Sequence, residues 1–204
     1  MSWYTDRVLP RIVDFAMRGS EFRPVRARVA ADLDGEVLEI GFGSGLNLPH
    51  YPASVTRIRV VDPAVAGRKI AADRITACPV PIEFAGLDAG SLPAPDGSVD
   101  HVLSTWTMCT VPDPAQVLTE IHRVLKPGGS LYFAEHGLAP DAKVARLQHR
   151  LTPLQRALFG GCHLDRPIDQ LIGGSGLELA RLDTYYLPGT RIVGYTFEGV
   201  ATKP

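Results

Sequence analysis

The chain has 204 residues, of which 45% are hydrophobic and 21% are charged, values typical of a soluble globular protein. This length suits one domain with a substantial core, so we expect residues 1–204 to form a single domain. The 21 basic and 22 acidic side chains nearly balance, which argues against a nucleic-acid partner. No run approaches the roughly 18 apolar residues of a membrane span. Asp6, Arg7 and Arg11 interrupt any signal-peptide core near the N-terminus.

Cysteine usage indicates a reducing compartment. Cys78, Cys109 and Cys162 are odd in number and lack C-x-x-C spacing, so we expect free thiols in the cytoplasm. The histidines and cysteines are scattered along the chain without the spacing of a ligand set. The sequence therefore predicts no metal site.

Residues 1–34 predict N-terminal helices, because the pattern from Trp3 to Leu33 is helical. One apolar face repeats at helical spacing and comprises Leu9, Ile12, Val13, Ala16 and Met17. Gly19 ends this helix and Pro24 begins another. Three interpretations stay open: a layer packed on the domain, a lid over a substrate, or an amphipathic helix resting on anionic lipid.

A glycine-rich loop follows the first predicted strand. Val37–Ile40 is a short buried apolar run that includes Glu39, and Gly41, Gly43 and Gly45 come directly after it. Glycine is needed where the backbone takes a positive φ or comes close to a ligand. The loop therefore predicts a small-molecule site, with a plain strand-to-helix turn as the alternative.

A second strand-like run, Thr56–Asp62, ends in an acid about 20 residues beyond the glycines. In nucleotide-binding α/β units, an acid at this strand end binds the ribose hydroxyls. Leu46 stands where the dinucleotide motif has its last glycine. The spacing therefore favours a nucleoside ligand without a pyrophosphate, and it disfavours a nicotinamide oxidoreductase.

The remaining elements alternate until residue 137. The pattern predicts helices over 64–78 and 113–127 and strands over 81–85, 99–106 and 130–134. The pattern over residues 137–176 predicts an insertion of three helices, one of which begins at Pro153. Two closing strands, 177–186 and 191–200, have only a turn between them and should pair antiparallel.

The motifs resemble the class I S-adenosylmethionine-dependent methyltransferases. Those that carry the resemblance are Glu39, Gly41, Gly43 and Gly45, then Asp62, and then the stretches 86–93, 96–100 and 120–129. They cover the chain from Glu36 to His136. The resemblance implies a Rossmann-like α/β fold, with a mostly parallel seven-stranded sheet, an antiparallel last strand and a helical cap over 137–176.

The resemblance also implies S-adenosyl-L-methionine as cofactor, S-adenosyl-L-homocysteine as product, and a small-molecule methyl acceptor. The cofactor-binding residues that it implies are Glu39, Gly41, Gly43, Gly45, Asn47, Asp62, Pro63, Asp88, Ala89, Ser104 and Thr105. Asp88 would accept from the adenine amine. The alternative for Asp88 is a turn residue, since Asp favours turns.

S-adenosylmethionine carries an activated methyl group, so the protein mainly has to position a nucleophile in line with it. A neutral nucleophile must also lose a proton, which a general base can take. His136, at the carboxyl end of the fifth strand, is the first candidate base, and His163 is the second. The alternative for His136 is a hydrogen-bonded residue that shapes the pocket. A protein that binds the cofactor without catalysis is a further alternative.

Three short stretches, 109–111, 132–136 and 161–164, resemble the membrane-associated thiol methyltransferases of animals and their bacterial relatives. This resemblance implies a thiol acceptor. The chain lacks the hydrophobic N-terminal anchor of the animal proteins, so we expect a cytoplasmic protein with at most peripheral membrane contact. The alternative is O- or C-methylation of a phenol, quinol or lipid-like acceptor, because the central motifs are common to those enzymes.

Overall fold

The computed structural model describes residues 4–189 and 191–204, so Trp3, where the predicted helical pattern begins, lies outside it. It confirms the α/β fold class. Seven strands form one sheet in the order β3-β2-β1-β4-β5-β7-β6. They are β1 (Gly35–Ile40), β2 (Val55–Val61), β3 (Ile82–Gly86), β4 (Val99–Thr105), β5 (Leu125–His136), β6 (Glu178–Tyr186) and β7 (Tyr195–Thr202).

Strands β1 to β5 are parallel to one another, and β7 runs antiparallel between β5 and β6. The antiparallel last strand is therefore confirmed. The order of the sheet reverses at β1, which lies between β2 and β4. In open sheets of this kind, ligands bind at such a switch point, beyond the carboxyl ends of the strands.

Eight α-helices occur in the described ranges, with a short π-helical turn (Tyr4–Val8) before the first. They are α1 (Leu9–Met17), α2 (Phe22–Ala30), α3 (Val65–Ile70), α4 (Ala72–Ala77), α5 (Pro114–Val124), α6 (Ala142–Leu158), α7 (Ile168–Gly173) and α8 (Arg191–Gly194). None of these helices is both long and apolar enough to cross a bilayer.

Apolar clusters cover both faces of the sheet, as expected for a parallel sheet buried on both sides. Leu38 and Phe133 are fully buried in one cluster, and Val37 and Leu103 lie in the other. Helix α5 packs on the first face and starts as predicted, because the Asp113 carboxylate accepts from the first free backbone N–H groups of the helix.

Several predicted boundaries were wrong. The fifth strand was predicted from Ser130 but begins at Leu125, directly after α5. The helix over 64–78 is divided at Ala71 into α3 and α4. Pro153 lies inside α6, which continues through it. A proline removes one backbone hydrogen bond, but the 17 residues of α6 supply the others. The final strand begins at Tyr195, because the Leu187 N–H donates to the Gly194 carbonyl at 2.8 Å and closes the connection through α8.

The orientation of α1 also differs from the prediction. Its inward side carries Asp14, which is buried and paired with Arg18 at 2.5 Å and Arg74 at 3.2 Å. Because a buried carboxylate must be paired, these contacts fix the rotation of the helix. Ile12 and Val13, from the predicted apolar face, are consequently exposed.

Candidate active site

The glycine loop follows β1, and each of its three glycines has a positive φ: 72° at Gly41, 56° at Gly43 and 73° at Gly45. A Cβ on Gly41 would lie 1.9 Å from the hydroxyl oxygen of Thr107, so packing alone requires glycine there. A Cβ on Gly43 would meet no atom of the described residues within 4 Å. Gly43 therefore faces open space at the switch point of the sheet, where a ligand can approach the backbone.

Asp62, at the end of β2, is tied to this loop. Its Oδ2 accepts from the Gly43 N–H at 2.6 Å, and its Oδ1 accepts from the Ala64 N–H at 2.5 Å. A carboxylate has about four acceptor positions, so lone pairs remain for ribose hydroxyls. Pro63, which follows it, is exposed at the same rim.

Glu39 braces the loop from below. The side chain is fully buried and accepts from Asn47 Nδ2 at 2.7 Å and from the Tyr51 hydroxyl at 2.8 Å. Burial raises the pKa of Glu39 to about 7, while these hydrogen bonds oppose the rise. The structure thus places Glu39 beneath the loop. A contribution of Glu39 to cofactor binding would therefore be indirect, through its hydrogen bond with Asn47.

Arg26 reaches this network from α2, and sequence analysis did not identify it. Its Nη1 donates to Asn47 Oδ1 at 2.7 Å and to Thr105 Oγ1 at 3.2 Å. Burial lowers the pKa of Arg26 to about 10, so the guanidinium stays charged at neutral pH. Its Nε has no hydrogen-bond partner among the described residues. Arg23 and Arg28 share the helix, and the sequence does not tell which arginine turns inward.

These groups fit S-adenosylmethionine. A buried cation with an unused donor suits the carboxylate of its methionine part, and Asp62 suits its ribose. The open face of Gly43 leaves room between them. A pocket for a neutral, apolar ligand would need neither the Arg26 cation nor the Asp62 carboxylate.

Trp106 lies where β4 leaves the sheet and has a φ of 50°, which is rare for a large side chain. The Arg26 guanidinium lies 4.6 Å from the centre of its ring, and Phe22 packs edge-on against it at 5.2 Å. Two helical side chains therefore fix Trp106 at the rim. Met108 and Leu164 belong to the core, with 2% and 1% exposure, and do not line an open pocket.

The other predicted cofactor residues lie at the same edge with different partners. Asp88 is exposed, and its Oδ1 accepts from the Gly90 N–H at 2.8 Å. Asp88 therefore acts as a turn residue, which was the alternative to a contact with adenine. Ala89 is partly buried against the core. The Ser104 hydroxyl donates to Glu135 at 2.8 Å, on the opposite side of β4 from Thr105. Only the backbone of Ser104 remains for a cofactor contact.

The two candidate bases lie close together beyond β5. Nε2 of His136 lies 3.3 Å from Cys162 Sγ, and the backbone of His163 lies beside the same ring. The His136 side chain is buried, whereas His163 is partly exposed. Burial and the nearby Arg166 hold the pKa of His163 below its usual value.

The fold also gathers side chains that the sequence analysis treated as scattered. Cys109, His136 and Cys162 are buried, and their sulfur and nitrogen donor atoms all lie within 4.8 Å of one another. The hydrogen bond with Cys109, together with burial, raises the pKa of the Cys162 thiol. These residues follow β4, end β5 and follow α6 respectively, so only the meeting of three loops at one edge brings them together.

Comparisons with known proteins agree with this geometry. The methyltransferase domain family matches residues 38–133. The rat thiol S-methyltransferase TMT1B is 36% identical over 136 residues, which are 64% of this chain and 54% of that protein. The phosphatidylethanolamine N-methyltransferase of Cereibacter sphaeroides is 30% identical over 173 residues, which are 82% and 83% of the two chains. The chain thus spans about half the length of the thiol methyltransferase.

A solved structure of a SAM-dependent methyltransferase from Aquifex aeolicus has the same fold. It superimposes with a TM-score of 0.67 at 17% identity and covers 96% of this chain and 98% of its own. The domain match, the bacterial relative that aligns over 83% of its length, and the sheet order point to one family. The chain belongs to the class I S-adenosylmethionine-dependent methyltransferases.

Proposed function

We propose that the protein transfers a methyl group from S-adenosylmethionine to a small, largely apolar thiol. The observation that carries this proposal is the open face of Gly43, placed between the Asp62 carboxylate and the buried Arg26 cation. The similarity to a thiol S-methyltransferase over 136 residues supports a thiol as the acceptor.

In this proposal, Asp62 holds the ribose hydroxyls, Arg26 binds the cofactor carboxylate, and the Gly43 backbone lies against the ligand. Asn47 and Thr105 orient Arg26 through their hydrogen bonds to it. The bound cofactor supplies a methyl group already activated on a sulfonium. The protein then contributes position and a site closed to water, which can supply much of the rate enhancement.

We propose that the N-terminal helices and residues 137–176 form the cap of this site. Arg26 in α2 contacts the rim from one side. The segment that contains Cys162 contacts the end of β5 from the other side. The Tyr4 hydroxyl donates to the Leu158 carbonyl at 3.0 Å and links the two parts.

The base roles of His136 and His163 stay predictions. Nε2 of His136 faces Cys162 in the buried cluster, so the ring would have to exchange this partner to reach an acceptor proton. His163 is more accessible. A thiol acceptor requires neither in principle, because its pKa near 8.5 already provides some thiolate at neutral pH.

We also propose that the protein works in the cytoplasm with weak contact to membrane surfaces. Phe15 is 83% exposed on α1, beside the exposed Ile12 and Val13. Leu154 and Leu158 are exposed on α6, which Tyr4 joins to the N-terminal part. Exposed apolar side chains on two helices of the cap suit an apolar acceptor drawn from a lipid surface.

A second candidate is methylation of a lipid-like, phenolic or quinol acceptor. The observation that favours it is the phosphatidylethanolamine N-methyltransferase, because its similarity covers 83% of that protein, against 54% for the thiol enzyme. The cofactor site described above would be the same. The two candidates differ only in the acceptor.

A turnover assay with labelled S-adenosylmethionine decides between them. We expect label to pass to small apolar thiols and not to matched phenols, quinols, amines or carboxylates. The rate should rise with pH up to the pKa of each thiol, because the thiolate is the nucleophile. Turnover of a phenol, quinol or phospholipid without any thiol product would support the second candidate instead.

We expect Asp62→Ala to weaken binding of S-adenosylmethionine by about 1.5–3 kcal/mol, the value of a hydrogen bond to a charged group. Isothermal titration calorimetry measures this. Asp141→Ala is a matched control, because that carboxylate also accepts from two backbone N–H groups, at the start of α6. Equal cofactor affinity in the two variants would place the ribose elsewhere.

Gly43→Ala should weaken cofactor binding by about tenfold or more, since its methyl group would enter the cofactor space. Gly128→Ala is the control, because Gly128 also has a positive φ (80°) and open space around it. It lies near the start of β5, away from the carboxyl ends of the strands. Both variants should lose about 1–2 kcal/mol of unfolding free energy through backbone strain. Unchanged affinity in Gly43→Ala would show that the loop does not contact the cofactor.

A further inference from the structure

We propose that Cys109, His136 and Cys162 form a zinc site, with a fourth position that binds the acceptor thiol as its thiolate. The metal site rests on the geometry of the three side chains. The role of the fourth position rests in addition on the proposed thiol methyltransferase function.

The spacing of the donor atoms suits a tetrahedral zinc ion. Zinc lies about 2.3 Å from a thiolate sulfur and about 2.0 Å from an imidazole nitrogen, which separates the two ligands by roughly 3.5 Å. Nε2 of His136 lies 3.3 Å from Cys162 Sγ, and the remaining donor separations are within 4.8 Å. Side-chain adjustments of about 1 Å would complete the coordination.

The surrounding contacts hold the three ligands in place. The His163 backbone lies beside the His136 ring, and a backbone carbonyl is a usual partner for the second ring nitrogen of a zinc-bound histidine. The His163 N–H donates to the Cys109 carbonyl at 2.7 Å. The Leu138 N–H donates to the Arg166 carbonyl at 2.9 Å. The segment with Cys162 is therefore tied to both of the other ligand segments.

The charges around the cluster suit a buried divalent ion. Two thiolates would neutralise zinc and remove the cost of burying an unpaired charge. The charged side chains beside the cluster include both signs. Glu135 is fully buried and accepts from the Thr107 and Cys109 N–H groups, and the Arg166 guanidinium donates to the Met108 carbonyl.

The cluster lies next to the cofactor loop along the chain segment after β4. The Thr107 hydroxyl donates to the Ile40 carbonyl at 3.3 Å, directly before Gly41. Cys109 follows Thr107 by two residues. A ligand of the cluster is thus linked through Thr107 to the loop that faces the cofactor.

Zinc with three protein ligands keeps an open position, and a thiol that coordinates it loses its proton. That proton passes to solvent. The thiolate lone pair then forms a C–S bond to the methyl carbon, while the C–S bond of the sulfonium breaks and its electron pair stays on the leaving sulfur. The products are a methyl thioether and S-adenosylhomocysteine.

Metal binding is measured on the full chain after removal of metal by a chelator. Titration with Co²⁺, a spectroscopic substitute for Zn²⁺, should give 1:1 binding, with the visible bands of a tetrahedral site and a thiolate-to-cobalt charge-transfer band. Cys109→Ser, Cys162→Ser and His136→Asn should each weaken binding about 100-fold or more, since loss of an outer-shell contact alone costs 10- to 100-fold. Cys78→Ser, at the third cysteine, should leave binding unchanged.

X-ray absorption of the zinc-loaded wild-type protein gives a measurement independent of variants that fail to fold. It should show two sulfur ligands at about 2.3 Å and a nitrogen at about 2.0 Å. Failure of the wild-type protein to bind one metal ion, or the same charge-transfer band in the Cys109→Ser and Cys162→Ser double variant, would overturn the site.

The role of the fourth position has its own measurement. Addition of a small apolar thiol to the cobalt-loaded protein should change the visible spectrum, and an unchanged spectrum would overturn that role. Undiminished thiol turnover by the metal-free protein would overturn the role of the fourth position while leaving the proposed function intact. Binding of Co²⁺ and of the thiol without thiol turnover would count against the proposed function alone.

Discussion

The hydrogen bond from the Gly43 N–H to the Asp62 carboxylate holds the centre of this structure together. It joins the loop after β1 to the end of β2, at the point where the strand order reverses. A hydrogen bond to a charged acceptor contributes about 1.5–3 kcal/mol, which offsets part of the conformational entropy lost when a glycine-rich loop is ordered. The same carboxylate keeps free lone pairs at the rim. One side chain thereby shapes the loop and, in the proposed function, also binds the ribose.

A buried polar network extends from that loop to helix α2. Glu39, Asn47, Thr105 and Arg26 exchange hydrogen bonds with one another, and none of them is exposed. A buried charge without partners would be destabilising by several kcal/mol. Helix α2 is therefore docked by a guanidinium as well as by its apolar side. The Arg26 hydrogen bonds thus join α2 to the loop after β1 and to the end of β4.

Much of the fold could be predicted from the sequence because its signals are local. Buried parallel strands appear as continuous apolar runs such as Val37–Ile40, and the glycines after them mark a turn with positive φ. The Asp113 cap marks the start of α5 in the same way. The family resemblance then supplied the mostly parallel sheet with an antiparallel last strand, while the strand order came from the structure.

Tertiary contacts decided the rest. Periodicity placed Ile12 inside, but pairing of Asp14 with Arg74 turned α1 the other way. The sequence by itself determined the strands, the glycine loop and the acid at the end of β2, since each depends on neighbouring residues. Only the folded chain decided that Arg26 points into the site and that Cys109 meets Cys162, because these side chains come from loops and helices far apart in sequence.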